Sequence, residues 1–161
     1  LLNAKNLGLS TTLVVFVYVL YNVSQALFAA PAGYLSDKLG ARKIFTIGLF
    51  VFSLVYFGFG LVKNPALLWV LFPIYGIYIA ATDGVSKAYI SEFISEEESG
   101  TFFGAYYSLN AVATFLASAI GGVLWSTFGP SATFYYGSAM AMLAGIILIL
   151  SRKKLVKQVN S

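Results

Sequence analysis

Five long apolar runs constrain what this chain of 161 residues can fold into. About 20 consecutive apolar residues are enough for an α-helix to cross the hydrocarbon core of a bilayer. The runs predict an all-α membrane protein, a polytopic transmembrane helix bundle, with spans at approximately residues 11–32, 44–62, 66–90, 101–125 and 131–151. The third and fourth runs are longer than a crossing requires, so we expect them to tilt or to project beyond the membrane.

The composition excludes several classes of protein. Hydrophobic residues make up 59% of the chain, charged residues make up 10%, and the mean hydropathy is +0.83, unlike any soluble domain of this length. The sequence has no cysteine and no histidine, which removes disulfides, thiolate metal sites and the commonest general base. We therefore predict no enzyme, no catalytic residue, no metal and no cofactor. The formal charge of +4 comes from clusters at the membrane edges, so we predict no nucleic-acid partner.

The distribution of basic residues predicts the orientation, because lysine and arginine concentrate in short cytoplasmic loops. Lys5 and Lys63 fall on one side of the five predicted spans. The other side carries the remaining basic residues, which are Lys38, Arg42, Lys43, Lys87, Arg152, Lys153, Lys154 and Lys157. We expect this second side, with the C-terminus, to be cytoplasmic. The chain begins with Leu1 and has no signal-peptide pattern, so we expect a fragment whose upstream portion is absent.

A short charged segment, residues 33–43, separates the first two apolar runs and predicts a tight cytoplasmic turn. Gly33 and Gly40 suit a close helix approach and a turn conformation. The charged residues of the segment are Asp37, Lys38, Arg42 and Lys43. An ordinary solvated turn is the alternative interpretation.

This segment resembles the Gly-x-Leu-Ala-Asp-Arg-x-Gly-Arg-Arg loop of major facilitator superfamily transporters. It departs from that motif at Ser36, Lys38 and Ala41. Thr82 and Gly84 also resemble part of a Thr-Glu-Gly motif in a bacterial branch that includes efflux-like permeases, whereas Ser99 stands where that branch has an arginine.

The resemblance implies that residues 1–161 are a single partial transporter domain, similar to helices eight to twelve of a twelve-helix protein. The chain would then be the C-terminal half without its first helix. Its partners would be the missing N-terminal half, a small-molecule substrate and the lipid bilayer, and the full-length protein would be a monomer. It would lie in the plasma membrane, in a bacterial or archaeal inner membrane. Asp37 would reach the N-terminus of a helix in the other half and act as a conformational latch.

An internal echo supports this interpretation. Gly33, Leu35, Leu39 and Gly40 end the first run, and Gly122, Leu124, Phe128 and Gly129 end the fourth run at the same spacing. The first copy is charged and the second is neutral. Because the two turns lie on opposite membrane faces, an inverted repeat of three plus three helices would produce this pattern, although chance similarity of glycine-rich turns would do so too.

Helical spacing also places polar residues on single faces of three runs. A polar side chain in a membrane is costly enough to indicate a cavity or pathway, although a hydrogen bond to a neighbouring helix is the alternative. The cavity-lining candidates are Tyr18, Asn22, Gln25, Tyr75, Tyr78, Thr82, Tyr107, Asn110 and Thr114. Small residues form packing ladders on other faces, which are Gly76, Ala80, Gly84 and Ala88 in the third run and Gly137, Ala141 and Gly145 in the fifth. The second run is nearly featureless.

Asp83 and Lys87 form a cytoplasmic-side charge pair at i and i+4. At about 1.5 Å per residue, Asp83 lies close to the boundary of a hydrocarbon core about 30 Å thick, which favours a structural or gating pair over direct proton coupling. Ser95 and Glu98 have the spacing of a capping box before the fourth span.

These observations predict a fragment of a secondary active transporter, a permease that moves a small solute by alternating access. The resemblance to the bacterial branch implies that the permease is of efflux type. A complete five-span scaffold or sensor that transports nothing is the alternative. A membrane enzyme is a third and weaker option, since the sequence has no histidine, no cysteine and no paired carboxylates at mid-depth. An upstream reading frame with six or seven further spans would exclude the scaffold.

Overall fold

The computed structural model describes the backbone of residues 1–91 and 99–159 and the side chains of residues 1–87 and 99–151. Helices and the turns that connect them make up this part of the chain. The helices are α1 (Leu2–Asn6), α2 (Thr11–Leu39), α3 (Ala41–Leu61), α4 (Leu68–Ser91), α5 (Ser99–Phe128) and α6 (Pro130–Val159), with a 3₁₀ turn at Pro65–Leu67. Five helical segments are long and apolar enough to cross a membrane. The prediction of an all-α bundle with five spans is confirmed for the described residues.

The charged segment after the first apolar run is mostly helical. Helix α2 begins at Thr11, with Ser10 accepting a hydrogen bond from the Leu13 N–H at 3.4 Å, and it continues through Pro31 to Leu39. The expected turn of residues 33–43 is therefore wrong in extent, because the reversal takes place at Gly40 alone. Gly40 has a φ of +92° and donates its N–H to the Ser36 carbonyl at 2.8 Å. A backbone in this region is open to glycine and strained for other residues.

The turn between α5 and α6 has the same form. Gly129 has a φ of +86°, and its N–H donates to the Trp125 carbonyl four residues earlier at 3.1 Å. Pro130 then begins α6, where its fixed φ suits the first helical position. The two turns lie at opposite ends of the bundle, since three spans separate them. The repeated glycine spacing in the sequence thus corresponds to two turns with the same backbone conformation.

Small residues set the distances between helices. A Cβ at Gly76 would lie 2.5 Å from the Tyr21 carbonyl oxygen, so α4 contacts the backbone of α2 there. In α6, Gly137 meets the ring of Tyr56, Gly145 meets Phe50, and Ala141 is buried. These contacts agree with both predicted ladders, except at Gly84, where a Cβ would meet no atom of the described residues within 4 Å. The Ala88 side chain and the capping box of Ser95 and Glu98 lie outside the described residues.

Two buried serines join α3 to α6. The Ser53 hydroxyl donates to the Ser138 carbonyl at 2.9 Å, and the Ser138 hydroxyl donates to the Ser53 carbonyl at 2.7 Å. Each polar side chain is therefore satisfied by the facing helix, as a membrane interior requires. Helix α5 differs from α3, because none of its residues is buried in the described chain.

Candidate functional site

An aromatic cavity of about 300 Å³ lies between α2, α3 and α4 at the end of the bundle where α1 packs. Tyr75 belongs to its wall, and the Tyr75 ring centroid lies 5.5 Å from that of Tyr21 and 6.0 Å from that of Tyr56. The wall consists of Leu1, Asn3, Ala4, Tyr18, Tyr21, Tyr56, Phe59, Leu68, Phe72, Tyr75 and Phe134. None of these side chains is charged, and the tyrosine hydroxyls supply donors and acceptors in an otherwise apolar wall. Such a cavity suits a flat, weakly polar molecule.

Tyr18 and Tyr75 were predicted for a cavity wall, and the structure places both in this one. Helix α3 was expected to be nearly featureless, and it contributes Tyr56 and Phe59 to the wall. Tyr56 and Phe59 lie three residues apart, and Phe52 precedes Tyr56 by four, which places all three rings along one side of the helix. This spacing is the feature of the sequence from which an aromatic face on α3 could have been predicted.

The second cavity, of about 470 Å³, lies between α3, α4, α5 and α6 and includes Tyr78, Ser118 and Thr133 in its wall. Thr82, also predicted for a cavity wall, is in the wall of neither cavity. Its methyl group packs at the position where a Cβ of Gly48 would stand, and its hydroxyl donates to the Tyr78 carbonyl at 2.9 Å. Thr82 is therefore buried between α4 and α3 and satisfied by its own helix.

The polar residues of α2 divide between its surface and a third cavity. The Asn22 side-chain amide is exposed and donates to the Tyr18 carbonyl of the same helix at 2.7 Å. Gln25 lines a cavity of about 270 Å³ between α2 and α4, and the wall of this cavity also includes Asp37 and Asp83. The structure thus brings together residues that the sequence analysis assigned to a cavity, to the motif segment and to the charge pair.

Three polar residues of α5 that were predicted for a cavity wall are not brought to these walls. Tyr107, Asn110 and Thr114 are exposed on a helix that packs mainly against α6. The Tyr107 ring contacts only its own helix among the ring contacts of the described residues, at 5.4 Å from Tyr106 and 6.3 Å from Phe103. Within the described chain, the predicted cavity wall of α5 is a surface.

The charge pair forms as predicted. Lys87 Nζ lies 3.6 Å from Asp83 Oδ1, and the two side chains are 46% and 64% exposed. An exposed pair at i and i+4 contributes about 0.3–0.5 kcal/mol. The geometry is that of an ordinary helix pair.

Two basic residues of the motif segment have partners that the sequence did not indicate. The Lys38 ammonium lies 4.6 Å from the centre of the Tyr34 ring. Arg42 reaches across to α6, where its Nη2 donates to the Leu148 carbonyl and, at 3.0 Å, to the Ser151 hydroxyl. Gly33 lies in α2, and a Cβ there would meet nothing within 4 Å in the described chain. The side chains of Arg152, Lys153, Lys154 and Lys157 lie outside the described residues.

Comparison with known proteins gives concordant matches. The sequence profile of the Major Facilitator Superfamily matches residues 1–161. An uncharacterized MFS-type transporter of Methanocaldococcus jannaschii is 39% identical over 133 residues, which cover 83% of this chain and 33% of that protein. The puromycin resistance protein of Streptomyces alboniger is 26% identical over 141 residues, which cover 87% of this chain and 28% of that protein.

A relative of similar length also matches. An uncharacterized MFS-type transporter of Bacillus subtilis is 25% identical over 149 residues, which cover 92% of this chain and 91% of that protein. The chain thus spans about a third of the archaeal and streptomycete relatives and nearly all of the B. subtilis one. With five candidate membrane spans and a profile match over its whole length, this multi-pass integral membrane chain belongs to the Major Facilitator Superfamily.

Proposed function

We propose that this chain forms one half of the substrate pathway of a secondary active transporter, which moves a small solute by alternating access. The observation that carries the proposal is the polar face of α5. Tyr107, Asn110 and Thr114 lie on a membrane-spanning helix of 30 residues, none of which is buried in the described chain. Polar side chains facing lipid are costly, so this face requires a cover that supplies water or polar groups. A complementary half, absent from this chain, would supply it.

The conformational change then involves the charged end of α2. Asp37 is exposed and lies in the wall of the same cavity as Asp83. In this proposal Asp37 binds the N-terminus of a helix in the complementary half, where free N–H groups favour an anion, and holds one of the two states. The C-terminus is cytoplasmic, the full-length protein is a monomer, and its membrane is the inner membrane of a bacterium or archaeon.

The proposed substrate is an aromatic or weakly polar small molecule, and the direction of transport is outward. The aromatic cavity around Tyr75 has no charged side chain among the described residues in its wall. The relative named as a puromycin resistance protein favours the outward direction.

Cysteine labelling in the protein with all its native flanking sequence tests the pathway. We expect single cysteines at Gln25, Tyr78 and Asn110 to react with a small hydrophilic maleimide. Cysteines at Leu54 and Ile147, which are 67% and 63% exposed in this chain, should stay unreactive because their surroundings are lipid. Asn110 gives the most direct comparison, because it is exposed in this chain like Leu54 and Ile147 but is expected to face water. Equal reactivity at Asn110 and Ile147 would contradict the proposed water-lined face.

A substitution in the aromatic cavity tests the substrate class. Replacing Tyr75 with alanine removes one ring from the cavity wall, and a single ring contact with a bound aromatic compound is worth about 0.5–1.5 kcal/mol. We expect the apparent affinity for an exported aromatic compound to fall about threefold to tenfold in a vesicle transport assay. Tyr34→Ala removes an exposed tyrosine remote from the cavity and should leave this affinity unchanged. Equal transport by both variants would show that this cavity is not part of the substrate pathway.

The alternative is a complete membrane protein of about this length that works without a complementary half. The B. subtilis relative favours it, because the match covers 91% of that protein. Such a protein would need to cover the polar face of α5 by self-association. Chemical crosslinking in native membranes distinguishes the two, since the alternative requires a crosslink between α5 helices of two copies.

A further inference from the structure

A groove on the outer surface of α3 and α6 lies apart from the proposed pathway. It has a volume of about 480 Å³ and lies where α3 begins and α6 approaches its last turns. Its wall consists of Leu39, Gly40, Arg42, Lys43, Thr46, Ile47, Phe50, Leu148 and Ile149. The groove therefore has a basic end and an apolar remainder.

The basic end holds groups that suit a phosphate. Lys43 is exposed, and Arg42 is half-buried in the wall. Among the described residues, both bonds that Arg42 donates to α6 use Nη2, which leaves Nε and Nη1 as donors for another acceptor. Gly40 provides no side-chain cap for α3, so the positive end of that helix also points to this site.

The apolar part suits an acyl chain. The stretch from Gly40 to Phe50 extends about 15 Å along α3 at about 1.5 Å per residue. This distance is half of a hydrocarbon core about 30 Å thick, and therefore the depth of one leaflet. The surface beside the groove continues as exposed apolar side chains at Leu54, Ile147 and Leu150. A surface of this kind faces lipid rather than a water-filled pathway.

We propose that this groove binds an anionic phospholipid of the bilayer, with the headgroup phosphate at Arg42 and Lys43 and an acyl chain along Ile47, Phe50 and Ile149. Charge complementarity selects the headgroup, since basic pockets between helices at a membrane surface attract anionic lipids. Arg42 bonds to α6 at the same place, so the bound lipid would also reinforce the junction of α3 and α6.

Lipid quenching in nanodiscs tests the proposal on the protein with all its native flanking sequence. Leu150, beside the groove, is replaced by a cysteine that carries a bimane dye. The measurement is the quenching of bimane fluorescence by spin-labelled phosphatidylglycerol or by spin-labelled phosphatidylcholine, each added to a zwitterionic bilayer. We expect phosphatidylglycerol to quench at a several-fold lower mole fraction. Lys43→Gln should reduce this preference about fivefold, the usual effect of one basic residue at a membrane surface. Lys43→Arg keeps the charge and should retain the preference.

The matched control is Lys63→Gln, which removes an exposed lysine beyond the opposite end of α3 and should leave the preference unchanged. Three results would overturn the proposal. These are equal quenching by the two lipids, equal effects of Lys43→Gln and Lys63→Gln, and loss of the preference on adding inorganic phosphate but not chloride at the same ionic strength. The last result would identify a site for a soluble anion.

Discussion

The turn between α2 and α3 and the turn between α5 and α6 share a backbone conformation and differ in charge. Gly40 and Gly129 have φ values of +92° and +86°, and each donates its N–H to the carbonyl four residues earlier. The first turn is flanked by Asp37, Lys38, Arg42 and Lys43, and the second by Ser126, Thr127 and Ser131. A reversal of the same form thus takes place with and without charge. The turn therefore does not require charge, so the charges of the first turn have other roles.

Substitution of the two turn glycines should have the largest effects. An alanine at Gly40 or Gly129 would be held in a backbone region that costs about 1–3 kcal/mol. We expect both variants to lower the melting temperature of the purified protein by similar amounts. Gly33 and Gly122 are the matched controls, because each lies in a helix with no atom within 4 Å of a new Cβ in the described chain. Unequal losses at Gly40 and Gly129 would break the equivalence of the turns.

Replacement of Arg42 sharpens the difference between the turns. A hydrogen bond from a charged donor is worth about 1.5–3 kcal/mol, and we expect about 1 kcal/mol here because Arg42 is half-buried. Arg42→Gln should lower the melting temperature, whereas Ser131→Ala, at the equivalent position of the neutral turn, should not. If the two variants melt alike, the contact of Arg42 with Leu148 and Ser151 contributes no stability.

Asp37 and Lys38 should separate function from stability. Asp37→Asn removes the proposed latch, an interaction of about 0.3–2 kcal/mol. Near a balanced equilibrium, the upper value shifts the two states more than tenfold. Transport should fall at matched expression, with cysteine accessibility changing on one membrane side. Lys38→Gln loses an exposed cation–π contact worth about 0.5–1 kcal/mol and should transport nearly normally. Transport by Asp37→Asn at the wild-type rate would contradict the proposal that Asp37 is a latch.

Much of the fold could be predicted because helix length and hydropathy are properties of consecutive residues. The five spans and the glycine turns follow from such local patterns. The extent of the first turn was wrong, because Gly33 and Asp37 have no local reason to leave a helix that already satisfies its backbone bonds. The candidate site was less predictable. Tyr75 lies on a cavity wall whereas Thr82, seven residues later and near the same face, is buried against α3.

The sequence by itself determined the five long apolar helices, because their length and hydropathy are properties of consecutive residues. It also determined the residues that share each face, since 3.6 residues per turn set these relations within one helix. Only the tertiary structure decided what covers each face. It placed Tyr56 of α3 against Tyr75, paired Ser53 with Ser138, and brought Arg42 to Ser151 of α6. These partners are distant along the chain, and their contacts depend on how closely the small residues of neighbouring helices allow the backbones to approach.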